Sequence, residues 1–191
     1  GVYPLSSSCD HVGPMVRTVS DAAVLLQAIA GPDPKDPTAS HVKVPDYTSA
    51  LKEDVRGLRL GVPQEYFFEG VEPAVRDGVQ AAVQHLSSLG AAVEEVSIPS
   101  IPHVIASSTA IIAAEAYEVH ARTLKTRSPD YGVDVRTRLM LGACVQVAQY
   151  LNAQRFRTLL RQEMLDVLGR VDALVTPTTL MAASKIDEPL I

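Results

Sequence analysis

The amino-acid sequence predicts an α/β chain whose helices cover a sheet of at least three strands, and three observations predict it. Residues 57–98 run strand, helix, strand with short joints. From residue 103 to about 168 the apolar residues recur at helical spacing. A compact apolar run, Asp172–Thr176, then returns as a strand stopped by Pro177.

Taken in order, Thr18 and Asp21 have the T-x-x-D spacing of a capping box. Val19, Ala22, Leu26 and Ile29 follow at helical spacing until Gly31 and Pro32. Four prolines between Gly31 and Tyr47 then forbid regular structure, so about 31–49 is expected as a surface linker. Leu58, Leu60 and Val62 alternate with Arg59 and Gly61 in a short strand ended by Pro63. Pro73 opens a helix with an apolar face of Val75, Val79, Ala82, Val83, Leu86 and Leu89, closed by Gly90. Ala91–Ser97 is the next strand, and such a βαβ unit implies parallel strands with a right-handed crossover. Helices are expected at His103 to about Leu124, Val135–Val145 and Val147 to about Leu168, the last with Arg155, Arg157 and Arg161 on its wetter side.

The totals exclude several functions. A charge of −5 without a basic block gives no phosphate-tracking surface, so direct nucleic-acid binding is not expected. No apolar run approaches the roughly 20 residues of a membrane span, and the start has no secretory pattern, which makes the cytoplasm the default location. Cys9 and Cys144 lack metal-ligand or CxxC spacing, and the five histidines are scattered. No metal and no cofactor are expected. Gly1 in place of Met, and an end soon after a strand, suggest a fragment.

Five stretches carry a resemblance: SSCDHVGPM (7–15), RTVSDAA (17–23), GLRLGVP (57–63), RTRLMLG (136–142) and VDALVTPTT (171–179). In this order they resemble the amidase-signature family, which includes amidases of small amides and the A subunit of the tRNA-dependent amidotransferase. The resemblance implies an α/β fold with an amidase-signature-like mixed sheet covered by helices, here as a single partial domain over 1–191, and a small-molecule amide substrate in the full-length enzyme. In that family an unprotonated lysine draws a proton through a bridging serine, a second serine attacks the carbonyl, and an acyl-enzyme is hydrolysed. The family's lysine and Gly-Ser-rich signature lie upstream of the matching segment. None of Lys35, Lys43, Lys52, Lys125 and Lys185 inherits the lysine's role, so no catalytic residue is assigned and the chain is expected to be inactive alone.

The opening hydroxyls Ser6, Ser7 and Ser8 lack the flanking glycines of an oxyanion loop and are expected to satisfy backbone groups. Cys9 is expected as a buried, inert thiol, and Asp10 as an acceptor for backbone N–H groups that holds the loop. Two residues are candidates for substrate binding. Arg138 matches an arginine that holds a substrate carboxylate in the amidotransferase-like branch, with a surface ion pair as the alternative. Thr178 follows a strand, where pockets of open α/β sheets lie, with capping of the Pro177 turn as the alternative. A non-catalytic α/β binding module remains the second reading of the whole. Helices and strands left without neighbours would show apolar faces, so self-association into a homo-oligomer is expected.

Overall fold

The computed structural model describes residues 2–36, 38–51 and 54–186. Gly1, Pro37, Lys52, Glu53 and residues 187–191 lie outside them, and with them the expectation for Lys52. The chain divides into two compact units, residues 11–54 and residues 1–10 with 55–191.

In the smaller unit, helix α1 spans Val19–Ile29. Thr18 Oγ1 accepts from the Asp21 N–H at 3.1 Å, satisfying one of the donors that a helix start leaves over. No helix or strand follows among the described residues of the proline-rich stretch. Asp36 and Asp46 each fold the chain back by accepting the backbone N–H two residues on, at 2.8 and 3.0 Å. The Gln27 side chain of α1 accepts from Tyr47 N at 2.9 Å, which ties the linker to its helix.

The larger unit is built on a parallel sheet. Strand β1 (Arg59–Pro63) pairs with β2 (Ala92–Val96) from Arg59↔Ala92 to Pro63↔Val96, and with β3 (Ala173–Leu174) at Leu60↔Ala173 and Gly61↔Leu174. The spatial order is β2-β1-β3. Helix α2 (Pro73–Ser88) joins β1 to β2 and ends where Gly90 takes φ +100°, a value that an L side chain resists. In the middle strand, a Cβ on Gly61 would stand 2.9 Å from Leu174 and 3.1 Å from Val96, so neighbouring side chains already fill that space. Strand β3 is shorter than the expected 172–176. Asp172 N and Val175 N still donate to Arg59 O and Gly61 O at 2.8 and 2.9 Å, and Pro177 has no N–H to continue. The Arg59 guanidinium meets Asp172 at 2.6 Å, and its hydrogen bonds, with that of the Arg59 N–H, hold the Asp172 carboxyl down to about 2.

A single-turn 3₁₀ segment, Ile101–His103, leads into α3 (Val104–Arg127), three residues longer than expected at its C-terminal end. Helix α4 spans Val133–Leu141 rather than 135–145, because Gly142–Cys144 tighten into a 3₁₀ turn against α3. Helix α5 spans Val147–Leu168 as expected, opened by a reciprocal cap between Gln146 and Gln149. The main core joins Val96, Ile98 and Ile101 to Val167 and Val171, so the strand end and the α5 end close on each other. Each such aliphatic side chain contributes roughly 1.5–3 kcal/mol by leaving water. A second cluster, Ala116, Leu124 and Leu139, fastens α4 onto α3. Among the described residues, no helix is long and apolar enough to cross a membrane.

Candidate functional site

Three features of the larger unit bear on function. The first is the segment 2–10, whose hydroxyls, thiol and carboxylate look reactive in sequence. Asp10 accepts from Leu5 N at 2.8 Å and Ser6 N at 3.1 Å, as its loop-holding role requires. Ser6 and Ser8, however, donate to a side chain rather than to backbone groups. Glu115 on α3 accepts Ser6 Oγ at 2.6 Å, Ser8 Oγ at 2.7 Å, Ser8 N at 3.0 Å and Tyr150 OH at 3.0 Å. Arg157 on α5 completes the clasp by donating to Ser8 Oγ at 2.8 Å and Ser8 O at 2.6 Å. Burial pushes the Glu115 carboxyl upward, yet the hydrogen bonds from Ser6, Ser8 and Tyr150 together outweigh it and hold the group below the ordinary carboxyl value. Burial and the bond to Glu115 push the Tyr150 phenol up. A carboxylate so stabilised is a poor proton acceptor, and Ser8 Oγ is already shared between it and a guanidinium. The cluster therefore anchors the segment. Cys9 is half-buried rather than buried.

The second feature is a groove of about 420 Å³ between α3 and α4, lined by Leu5, Ile112, Ala116, Val135 and Leu139 with Arg138 at its edge. The spacing of helix α4 aims Leu139 at the core and leaves Arg138 exposed. Arg138 has no ion-pair or hydrogen-bond partner among the described residues, so the surface ion pair considered for it is not formed. Its neighbour in the motif, Arg136, instead donates to Ser128 O at 3.5 Å.

The third is a crevice of about 470 Å³ beyond the carboxyl ends of β1 and β3. Tyr66, Phe67 and Glu69, from the loop after β1, face Thr178 and Leu180, from the loop after β3, with Ile105 of α3 beside them. The Thr178 side chain is exposed and has no hydrogen-bond partner among the described residues, so it does not cap the Pro177 turn; Thr179 donates to Met181 O at 2.8 Å. Arg138 and Thr178 thus line different cavities. Both cavities open on one face of α3, because Ile105, Ser108, Ile112 and Ala116 follow one another at spacings of three or four. Ile105 and Ile112 are separated by about 10 Å along the axis at 1.5 Å per residue. A wider cleft of about 550 Å³ between α3 and α5, walled by Ala106, Ala110 and Ala153, holds neither residue. Among the described residues, no group of three His, Cys, Asp or Glu side chains could hold a metal ion.

Sequence reasoning missed Glu115, Tyr66 and Phe67. The signal for Glu115 was an acidic residue in the midst of an apolar helical run, Ile111-Ile112-Ala113-Ala114-Glu115-Ala116. Nothing local distinguishes Tyr66, which stands at φ +70° in the loop after β1.

Against known proteins, a family model described as Amidase matches residues 1–190. An amidase of Pseudomonas putida is 43% identical over 189 residues, covering 98% of this chain and 40% of that protein. The A subunit of the glutamyl-tRNA(Gln) amidotransferase of Myxococcus xanthus is 41% identical over 212 residues, covering 98% and 44%. Among solved structures, one described as an unexpected vestigial protein complex that reveals the origins of an s-triazine catabolic enzyme matches with TM-score 0.90 and 32% identity, over 98% of this chain and 40% of that one. The corresponding amidotransferase chain of Thermotoga maritima gives 0.79 and 34%, over 97% and 40%. The chain spans less than half the length of each of these relatives.

Proposed function

The chain belongs to the amidase family, and on that premise we propose that it is part of one larger amidase domain that hydrolyses C–N bonds of non-peptide amides through an acyl-enzyme, and that this part supplies substrate wall. The lysine and two serines of that chemistry are not among its residues. In support of this, Lys125 is exposed in the last turn of α3, and the hydroxyls of Ser6 and Ser8 are committed to Glu115. A lysine serves as base only where burial lowers its pKa toward neutrality.

One observation carries the reading of the wall: Arg138, a guanidinium without a partner among the described residues, stands beside an apolar groove. A planar fork there suits the carboxylate of an amide substrate whose methylenes lie along Ile112 and Leu139. Thr178 belongs to the same wall farther along the α3 face. The substrate is a small amide met in the cytoplasm.

The test is calorimetric titration of the 191-residue chain with glutamine and with propionamide, beside an ammonia-release assay. Arg138→Ala is expected to weaken glutamine about tenfold and leave propionamide unchanged. No ammonia is expected from the chain alone. Glutamine binding that ignores Arg138 would refute the wall, and turnover by the chain itself would refute the placement of the triad elsewhere.

A further inference from the structure

We propose that the crevice beyond β1 and β3 is a binding site for a neutral aryl ring, with Tyr66 and Phe67 as the residues that select it. The proposal rests on the amidase reading only in taking an amide as the ring's substituent.

Topology places the site. The chain leaves β1 for β2 on one side, and β3 occupies the other, so the order reverses between β1 and β3. In open α/β sheets the loops that leave two such strands diverge over a crevice, and ligands bind there. Here those loops are the ones that carry Phe67 and Thr178.

The site is also built. Glu72 N donates to Leu180 O at 2.8 Å and Ala182 N to the Glu72 carboxylate at 3.2 Å, which laces the second loop to the start of α2. Glu69 accepts from Tyr66 N at 3.0 Å, and Glu65 accepts from Ile98 N at 3.0 Å, which fixes the first loop on both sides. Tyr66 is held there at φ +70°, a conformation that a bulky side chain adopts only when its surroundings impose it, and such residues gather at ligand sites.

Chemistry selects the occupant. The Tyr66 and Phe67 rings stand edge to face, 5.3 Å apart at 80°, an arrangement that a third ring can extend. Ile105 and Leu180 remain 59% and 58% exposed, apolar surface that a ring would cover. The Glu69 carboxylate beside them disfavours an anion. The Thr178 hydroxyl offers a donor and an acceptor to an amide.

The test is an NMR titration of the 191-residue chain with benzamide, benzoate and anisole. Benzamide is expected to shift the Phe67 and Thr178 amides saturably, and benzoate to act about tenfold more weakly at these two loops. Phe67→Ala should weaken benzamide about fivefold. Should that variant not fold, Phe67→Leu keeps a branched apolar side chain, removes the ring and should still weaken benzamide about threefold. The proposal is overturned by shifts confined to other surfaces, by benzoate equalling benzamide at these loops, or by a folded Phe67 variant with undiminished affinity. If anisole matches benzamide and Thr178→Val weakens neither, the ring site is supported while the amide reading loses its support there.

Discussion

Glu115 shows how much a single side chain can hold in place. Four hydrogen bonds converge on its carboxylate from residues that lie 109, 107 and 35 positions away in sequence. Removing it strands Ser6 Oγ, in a residue only 1% exposed, and takes from Ser8 Oγ and Ser8 N the carboxylate that accepts from them. Hydrogen bonds to a charged group and an unsatisfied buried hydroxyl each count for roughly 1.5–3 kcal/mol, and partial solvent access reduces the sum. Glu115→Ala is therefore expected to destabilise the larger unit by about 2–3 kcal/mol, read as a lower urea midpoint with faster amide exchange at Ser8. The pH dependence follows from the same bonds. Because the folded carboxyl lies below its ordinary value of 4.5, the stabilisation is fully present above that value and is lost as pH falls through the folded one. The variant should lack this part of the acid limb. An unaltered limb would mean that the clasp is already loose at neutral pH.

At the scale of elements, close approach explains a motif that sequence alone presented as a string. The run Arg136–Gly142 ends in glycine because α3 passes directly over it. A Cβ on Gly142 would run into the carbonyl oxygen of Ala113 and stand 2.5 Å from Tyr117 Cβ. Backbone cannot give way as a side chain can, so Gly142→Ala should displace α4 from α3 and cost about 3 kcal/mol or more. A melting temperature within a degree or two of the parent would show that the helices part easily. What the sequence made legible follows the same division. Thr18 before α1, Pro73 at the start of α2 and Gly90 at its end act on neighbours within a turn, and the elements appear where those residues put them. Strand β3 pairs with β1 only at Leu60↔Ala173 and Gly61↔Leu174, and the end of α4 is set by its packing on α3, so both were misjudged from local pattern. Arg138 and Thr178 were named from motif and position alone; that they line separate cavities on one α3 face required the fold.

For the molecule as a whole, the apolar surface left exposed on the larger unit decides what the chain does in solution. None of the residues of α2 is buried, and Ile105, Val147, Leu151, Leu159 and Leu168 lie exposed on α3 and α5. The outer edges of β2 and β3 have no partner strand among the described residues. Apolar helix faces and open strand edges both drive association, and a net charge of only −5 opposes it weakly. Sedimentation velocity between about 5 and 100 μM should therefore show a weight-average mass that rises with concentration. Sodium sulfate should strengthen the association, since excluded salts favour apolar burial, whereas a complex held by charge would weaken as salt screens it. A single 20.5 kDa species at every concentration would overturn this expectation and show that the exposed helix faces and strand edges do not drive association.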